Sequence, residues 1–203
     1  MKDPKQHERA EMVHSISDEE LMLQVREGVG EMLGVLFDRY QQPLFSFFYR
    51  LTGERVQSED LVQEVFYRLL KYRNTYKAGS AFRTWIYQIA RNARRDRYEE
   101  RREVAIDEAP EPVTFPRDLV AEDQEVALLR KALLQLSAEK REVLLLSRYQ
   151  ELKYEEIGKI LGCQANTVKV RVFRALEELR GIVAEMQGRR FPGHPQAGVR
   201  YDM

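Results

Sequence analysis

A chain of 203 residues, 33% of them charged, has room for one ordinary domain or two small ones. No apolar run approaches the roughly 20 residues that span a bilayer, and residues 1–8 lack the apolar core of a signal peptide, so a cytoplasmic protein without membrane insertion is expected. The single cysteine, Cys163, excludes an internal disulfide and any multi-cysteine zinc site, and neither a metal nor another cofactor is expected.

In chain order, residues 1–15 read as a flexible N-terminus. Ser17 and Glu20 then form a capping box that opens a helix carrying Leu21, Leu23 and Val25. A longer helix follows with Leu33, Leu36, Phe37, Tyr40, Leu44, Phe47, Phe48 and Leu51 at helical spacing, and Pro43 inside it predicts a kink or a break. Ser58 is placed to cap a third helix, with Leu61, Val62, Val65, Phe66 and Leu69 inward. Asp60, Gln63 and Glu64 fall on its opposite face. That face is either ordinary solvated charge or a docking surface for a basic or polar partner helix, and composition does not separate the two.

After a loop at residues 72–79, Ser80 is placed to cap a fourth helix with Phe82, Trp85, Ile86, Ile89 and Ala93 apolar. Its later half is crowded with Arg91, Arg94, Arg95 and Arg97. Compensation of the helix dipole, about 0.3–1 kcal/mol per cation, accounts for two arginines but poorly for such a cluster. Asn92 among them has a side chain that can pair with a base edge. Tyr72, Tyr76 and Phe82 surround the Gly/Ser loop, a combination of aromatics, cations and pliant backbone that suits single-stranded bases at about 1–3 kcal/mol per stacked base. Phe82 and Trp85 are expected in the core, acting only as supports.

The formal net charge is zero because opposite blocks cancel. The arginines of residues 82–102 are followed by Asp107, Glu108, Glu111, Asp118, Glu122 and Asp123, with Pro110, Pro112 and Pro116 between them. With screening over about 8–10 Å, a phosphate feels the local patch rather than the sum. Residues 103–120 read as an acidic, proline-containing linker. A second helical domain spans 121–186, starting with Val126, Leu129, Leu133 and Leu136. Ser137 caps the next helix, Glu139 to about Tyr149. Residues 187–203, rich in Gly and Pro, read as a flexible tail. The fold class is therefore all-α: two small helical domains joined by the linker, the second ending in a helix-turn-helix.

That helix-turn-helix is the most specific local pattern. Ile157, Ile160 and Leu161 face inward on its first helix, Gly162 marks the sharp turn, and Val168, Val172, Ala175 and Leu179 line one face of its second helix. Asn166, Thr167, Lys169, Arg171 and Arg174 lie where phosphates and base edges would meet them, making DNA the leading partner. Phe173 on the same side wants a thymine methyl or a protein partner. Cys163 in the turn reads as a small packing residue, with redox sensitivity the rival reading. His7, His14 and His194 lie in the loose ends, and no catalytic triad or phosphate loop accompanies them, so an enzyme is not expected.

The ordered combination of Ser58, Asp60, Leu61, Gln63, Glu64 and Phe66, then Ser80, Phe82, Arg83, Thr84, Trp85, Ile89, Arg91 and Asn92, then Thr167 to Leu176, resembles the extracytoplasmic-function (ECF) sigma factors of bacterial RNA polymerase, group IV of the sigma superfamily. The resemblance runs from about Asp18 to Val183. It implies a protein that binds core RNA polymerase and directs promoter recognition, DNA opening and transcription initiation. Residues 16–102 would be the region 2-like domain, binding core polymerase and the −10 element, and residues 121–186 the region 4-like domain, binding the −35 element. By resemblance Asp60, Gln63 and Glu64 dock on the largest-subunit clamp helices, with the polymerase flap region a further contact. Tyr76, Ser80, Phe82, Arg91, Asn92, Arg94 and Arg95 recognise and open the −10 element. Asn166, Thr167, Lys169, Arg171, Phe173 and Arg174 read the −35 element. The linker threads the polymerase RNA channel, an anti-sigma factor holds the protein inactive, and no small-molecule substrate is implied.

The chain departs from the pattern at Gln164, where Ser or Pro is common, and at Val170 and Leu176, where a small polar residue and an arginine are common. Two other classes compete with the sigma reading. A stand-alone helix-turn-helix regulator gives the first domain and the linker no purpose. A protein–protein adaptor or anti-sigma antagonist leaves the arginine clusters as mere solubility features.

Overall fold

A computed structural model describes residues 15–104 and 124–188, the latter closing on Gly188; side chains beyond residue 100 in the first segment are not described. The two terminal segments, the histidines within them and the prolines and acidic side chains of the linker lie outside the described residues. Every regular element among the described residues is helical: α1 (Asp18–Arg26), α2 (Gly30–Thr52), α3 (Arg55–Lys71) and α4 (Phe82–Val104), then α5 (Gln124–Gln135), α6 (Ala138–Leu144), α7 (Tyr154–Leu161) and α8 (Ala165–Met186).

Helix α1 begins at the expected capping box, where the Glu20 amide donates to Ser17 Oγ at 3.3 Å and the Ser17 amide donates to Glu20 Oε2 at 3.2 Å. Its next two carboxylates reach other elements. Asp18 accepts from Arg39 and from the Tyr40 hydroxyl, each at 2.6 Å, and burial, aided by that acceptor, pushes the Tyr40 phenol far above its ordinary range. Glu19 accepts from the Phe82 amide at 2.9 Å, so the start of α4 is capped from α1 and not by Ser80 as expected.

Two further expectations change. Helix α2 runs through Pro43 without a break, the lost amide being outweighed by the burial of Leu36, Tyr40, Leu44, Phe47, Phe48 and Leu51 along one face. Ser58 does not cap α3, which starts three residues earlier at Arg55. Ser58 is fully buried and donates back to the Glu54 carbonyl at 2.5 Å, beside the Thr52 hydroxyl. The inward faces of α3 and α4 are otherwise those the apolar spacing indicates, and their rings interlock edge to face: Tyr40 with Phe82 at 5.1 Å, Tyr76 with Trp85 at 5.1 Å and Phe47 with Tyr87 at 5.4 Å.

In the second unit Ser137 caps α6 as expected, accepting from the Lys140 amide at 3.4 Å. The helix expected to continue to Tyr149 instead widens after Leu144 into a π-helical turn, Leu145–Tyr149, that buries Leu145 and Leu146. Gly162 takes the left-handed conformation, φ 69°, that ends α7 and permits the sharp turn. The tighter constraint is Gly158, one turn earlier. A β-carbon there would lie 2.5 Å from the Cys163 carbonyl oxygen, so α8 can approach α7 only across a bare backbone.

The two units touch. Helix α4 packs on α7, and α2 packs on α5 and α6. Replacing Gly158 by Ala is therefore expected to cost about 1–3 kcal/mol of overpacking, lowering the thermal midpoint by several degrees in a circular-dichroism melt. Gly34→Ala, where the new methyl meets nothing within 4 Å on an exposed helix face, is the control that does not lower it.

Candidate nucleic-acid interface

Helix α8 separates its two faces cleanly. Val168, Val172 and Ala175 are buried against the second unit, while Asn166, Thr167, Lys169, Arg171, Phe173 and Arg174 are all exposed. Phe173 is 64% exposed and Val170 beside it 48%. Among the described residues no carboxylate lies within ion-pair distance of Lys169, Arg171 or Arg174; the Arg180–Glu177 pair, at 2.7 Å, comes further along the helix. The face thus presents uncommitted cations around an apolar centre, the chemistry of phosphate and thymine-methyl contact. Gln164 is the N-cap residue but its side chain makes no capping bond, so neither it nor a neighbour restores the cap that Ser would supply.

The candidate residues around α4 do not share one environment. Asn92 and Arg95 are exposed, Ser80 is half-buried, and Arg91 and Arg94 are turned toward the second unit. Tyr76 and Phe82 are 1% and 0% exposed: Phe82 sits in the core where its spacing indicates, and Tyr76, expected beside it to face bases, is buried as well. The Tyr76 hydroxyl donates to the Ser80 carbonyl at 2.5 Å and thereby shapes the loop at residues 77–80, and burial, aided by Glu19 and Asp18, pushes this phenol up to about 12. Of the three rings around the loop, Tyr72 is the one left outside, 44% exposed, with Lys71 Nζ 5.5 Å from its ring centre. Ring type and proximity to a loop point equally to stacking on bases and to stacking in a core, and only the tertiary fold decides.

On α3, Asp60 and Gln63 are exposed and Glu64 is half-buried. They line a concavity of about 440 Å³ with Tyr67, Arg68 and Arg97. Arg68 organises this face by donating to Glu64 at 2.6 Å and to Asp96 of α4 at 2.5 Å. The Glu64–Arg68 spacing of four residues is readable in the sequence; the reach to Asp96 is not.

Sequence reasoning missed Glu142 altogether. Its side chain is only 7% exposed and faces Arg91 Nε at 3.5 Å and Arg94 at 3.8 Å. Burial pushes its carboxyl up while Arg94 and Arg91 pull it back. It sits in an ordinary charged stretch of α6, and no local spacing marks it.

The chain matches the Sigma-70 region 2 family over residues 36–104 and the Sigma-70 region 4 family over residues 127–179. It is 30% identical over 169 residues to the RNA polymerase sigma factor CarQ of Myxococcus xanthus, spanning 82% of this chain and 97% of that protein. It is 31% identical over 174 residues to the ECF RNA polymerase sigma factor SigW of Bacillus subtilis, spanning 77% and 91%. Its fold superposes, with a TM-score of 0.66 and 27% identity, on the sigma factor RpoE of Bartonella quintana solved in complex with the anti-sigma factor NepR, over 74% of this chain and 95% of that one. Two helical units carrying these matches in this order, the second ending in an outward cationic helix face, establish that the chain belongs to the ECF sigma factors of bacterial RNA polymerase, proteins that bind the core enzyme and direct it to promoters.

Proposed function

We propose that this sigma factor divides its work between residues 16–102, which dock on core polymerase and open the −10 element, and residues 121–186, which read the −35 element, with residues 103–120 as the strap between them. The observation that carries this reading is the bare cationic face of α8, opposite a fully packed apolar face and presented by a glycine-tightened helix-turn-helix. Asn166, Thr167, Lys169, Arg171, Phe173 and Arg174 meet the −35 duplex, with phosphate pairing supplying affinity and base-edge contact supplying choice. At the −10 element Ser80, Asn92, Arg91, Arg94 and Arg95 hold unstacked DNA, with Tyr72 as the accessible ring and Tyr76 and Phe82 supporting from beneath. Extracting a base costs a few kcal/mol, which the binding must offset.

Asp60, Gln63 and Glu64 form the polymerase docking face, Arg68 holding Glu64 in place. The protein does no covalent chemistry of its own; catalysis belongs to the polymerase. It works in the cytoplasm, in keeping with described helices none of which is long and apolar enough to cross a membrane. An anti-sigma factor controls it, a reading supported by the structural relative bound to one and by the exposed apolar patch at Phe173 and Val170.

Run-off transcription with bacterial core polymerase tests the whole reading. Initiation should require both proteins, and a gel shift should show tight promoter binding only when core is added; tight binding by the chain alone would favour the stand-alone regulator. Arg171→Ala and Arg174→Ala should each lower initiation from promoters with an intact −35 element by about 5–150-fold, the effect of ~1–3 kcal/mol per base contact, with a smaller loss on promoters lacking that element. Asp60→Lys should weaken core binding in a pull-down while leaving the thermal midpoint within about a degree, because an exposed helix position carries little stability.

A further inference from the structure

Val170 stands in the middle of the exposed face of α8. Asn166, Val170 and Phe173 recur at the spacing that lines side chains up along one side of a helix, the side opposite the buried Val168, Val172 and Ala175. Val170 is 48% exposed and Phe173 64%. Val170 is also the sixth residue of its helix. It therefore belongs to the first two turns, the part of a recognition helix that meets base edges in the major groove.

A valine at that place has a narrow chemistry. A serine or threonine pairs with more than one base edge, whereas an isopropyl group neither donates nor accepts a hydrogen bond. Its β-branch holds it in one rotamer on a helix, so its methyl groups keep a fixed position and lose little freedom on docking. Pressed against cytosine or adenine, they would strip water from the exocyclic amino group and offer it no partner. Against thymine they meet the 5-methyl group instead. Around this apolar step stand Lys169, Arg171 and Arg174, with no carboxylate within ion-pair distance among the described residues. A protein partner would have to bring acids to match them. DNA carries phosphates along both walls of the groove and methyl groups on its floor.

We propose that Val170 is a specificity-determining residue: with Phe173 it selects thymine, through the 5-methyl group, at a fixed position of the −35 element. Residues three apart on a helix have Cβ atoms about 5–6 Å apart, against about 3.4 Å between successive bases, so the two side chains address neighbouring base pairs. The pair adds a choice that the surrounding cations, which recognise phosphates and guanine edges, cannot make. This inference rests on the assignment of α8 to the −35 element and deepens it.

The experiment uses the full-length chain with bacterial core polymerase, at subsaturating holoenzyme, in run-off transcription from templates whose −35 base pairs are randomised. The wild-type protein should enrich thymine at a position where Val170→Ser does not, while the other positions are selected alike. Uracil placed there removes the methyl group and nothing else. It should lower wild-type initiation about fourfold, the burial of one methyl-sized group at ~0.8 kcal/mol, and leave initiation by Val170→Ser unchanged. Because Val170 is exposed, Val170→Ser should keep its thermal midpoint within about a degree, which separates lost selection from lost folding. The same base selection by both proteins, or an equal response to uracil, overturns the inference and leaves the apolar pair to a protein partner. Arg171→Ala on the same templates distinguishes that result from failure of the underlying reading. If Arg171→Ala still lowers initiation in a −35-dependent way, the −35 assignment stands and only the thymine choice falls. If neither Arg171→Ala nor any −35 base affects initiation, the assignment of α8 falls, and this inference with it.

Discussion

The architecture depends on a single helix having to be covered on two sides. Helix α4 turns Phe82, Ile86, Ile89, Ala90 and Ala93 into the first unit, yet Thr84 on its far side is also buried beneath the second unit, and Tyr87 at the edge packs its ring on Phe47 while its hydroxyl reaches the second unit. A helix with polar groups on such a face needs partners for each of them, since an unmet buried donor or acceptor costs about 1–3 kcal/mol. The second unit supplies those partners from α6, α7 and the π-helical turn between them. The position of that turn follows the same logic: by widening the helix after Leu144 it ends the segment at Gln150, whose side chain receives the Tyr87 hydroxyl. Burial pushes the Tyr87 phenol above its ordinary range, so it remains a donor across the physiological interval.

Charge is deployed differently on the two candidate nucleic-acid faces. On α8 the cations stand clear of any described carboxylate. On α4 the arginines between residues 91 and 97 are already engaged: Arg91 and Arg94 with Glu142, Arg95 with Asp96 and Glu99 at 3.8 Å, and Arg97 with Glu100 at 3.7 Å. The exposed pairs among these are weak, about 0–1 kcal/mol each, and exchange readily for phosphate. The half-buried pair with Glu142 exchanges only when its surroundings are rehydrated. A chain of zero net charge can therefore hold one surface of uncommitted cations and one whose cations are locally offset by carboxylates.

Local patterns made much of this legible in the sequence. The capping residues Ser17 and Ser137, the apolar spacing of α2 to α4 and the turn at Gly162 depend on neighbours within a few positions, and they stand where the spacing placed them. Misreadings arose where a local signal met a tertiary alternative. Ser58 has the chemistry of a cap, but the Thr52–Glu54 turn begins the helix earlier and draws its hydroxyl inward. Tyr76 has the chemistry of a stacking platform, but the first unit needed its volume, whereas Phe82 is the core residue its spacing indicates. Glu142 and Arg141 were invisible for a simpler reason: each owes its role to partners some 50 to 90 positions away, Arg91 in one case and Leu51 in the other, and no window of sequence contains both ends. Gly158 carries no local signal of its role, because the carbonyl that excludes a side chain there arrives from the far side of the turn.

Helix α1 has a consequence for dissecting the molecule. The region 2 match opens at residue 36, downstream of α1, yet α1 provides the acceptor for the Tyr40 hydroxyl and the carboxylate that satisfies the leading amide of α4. A fragment trimmed to the homologous segment would leave a buried phenol without its acceptor and helix α4 frayed at its first turn. The smallest piece able to hold that helix in register must start by Ser17, so the autonomous unit of folding is longer at this end than the unit of family likeness.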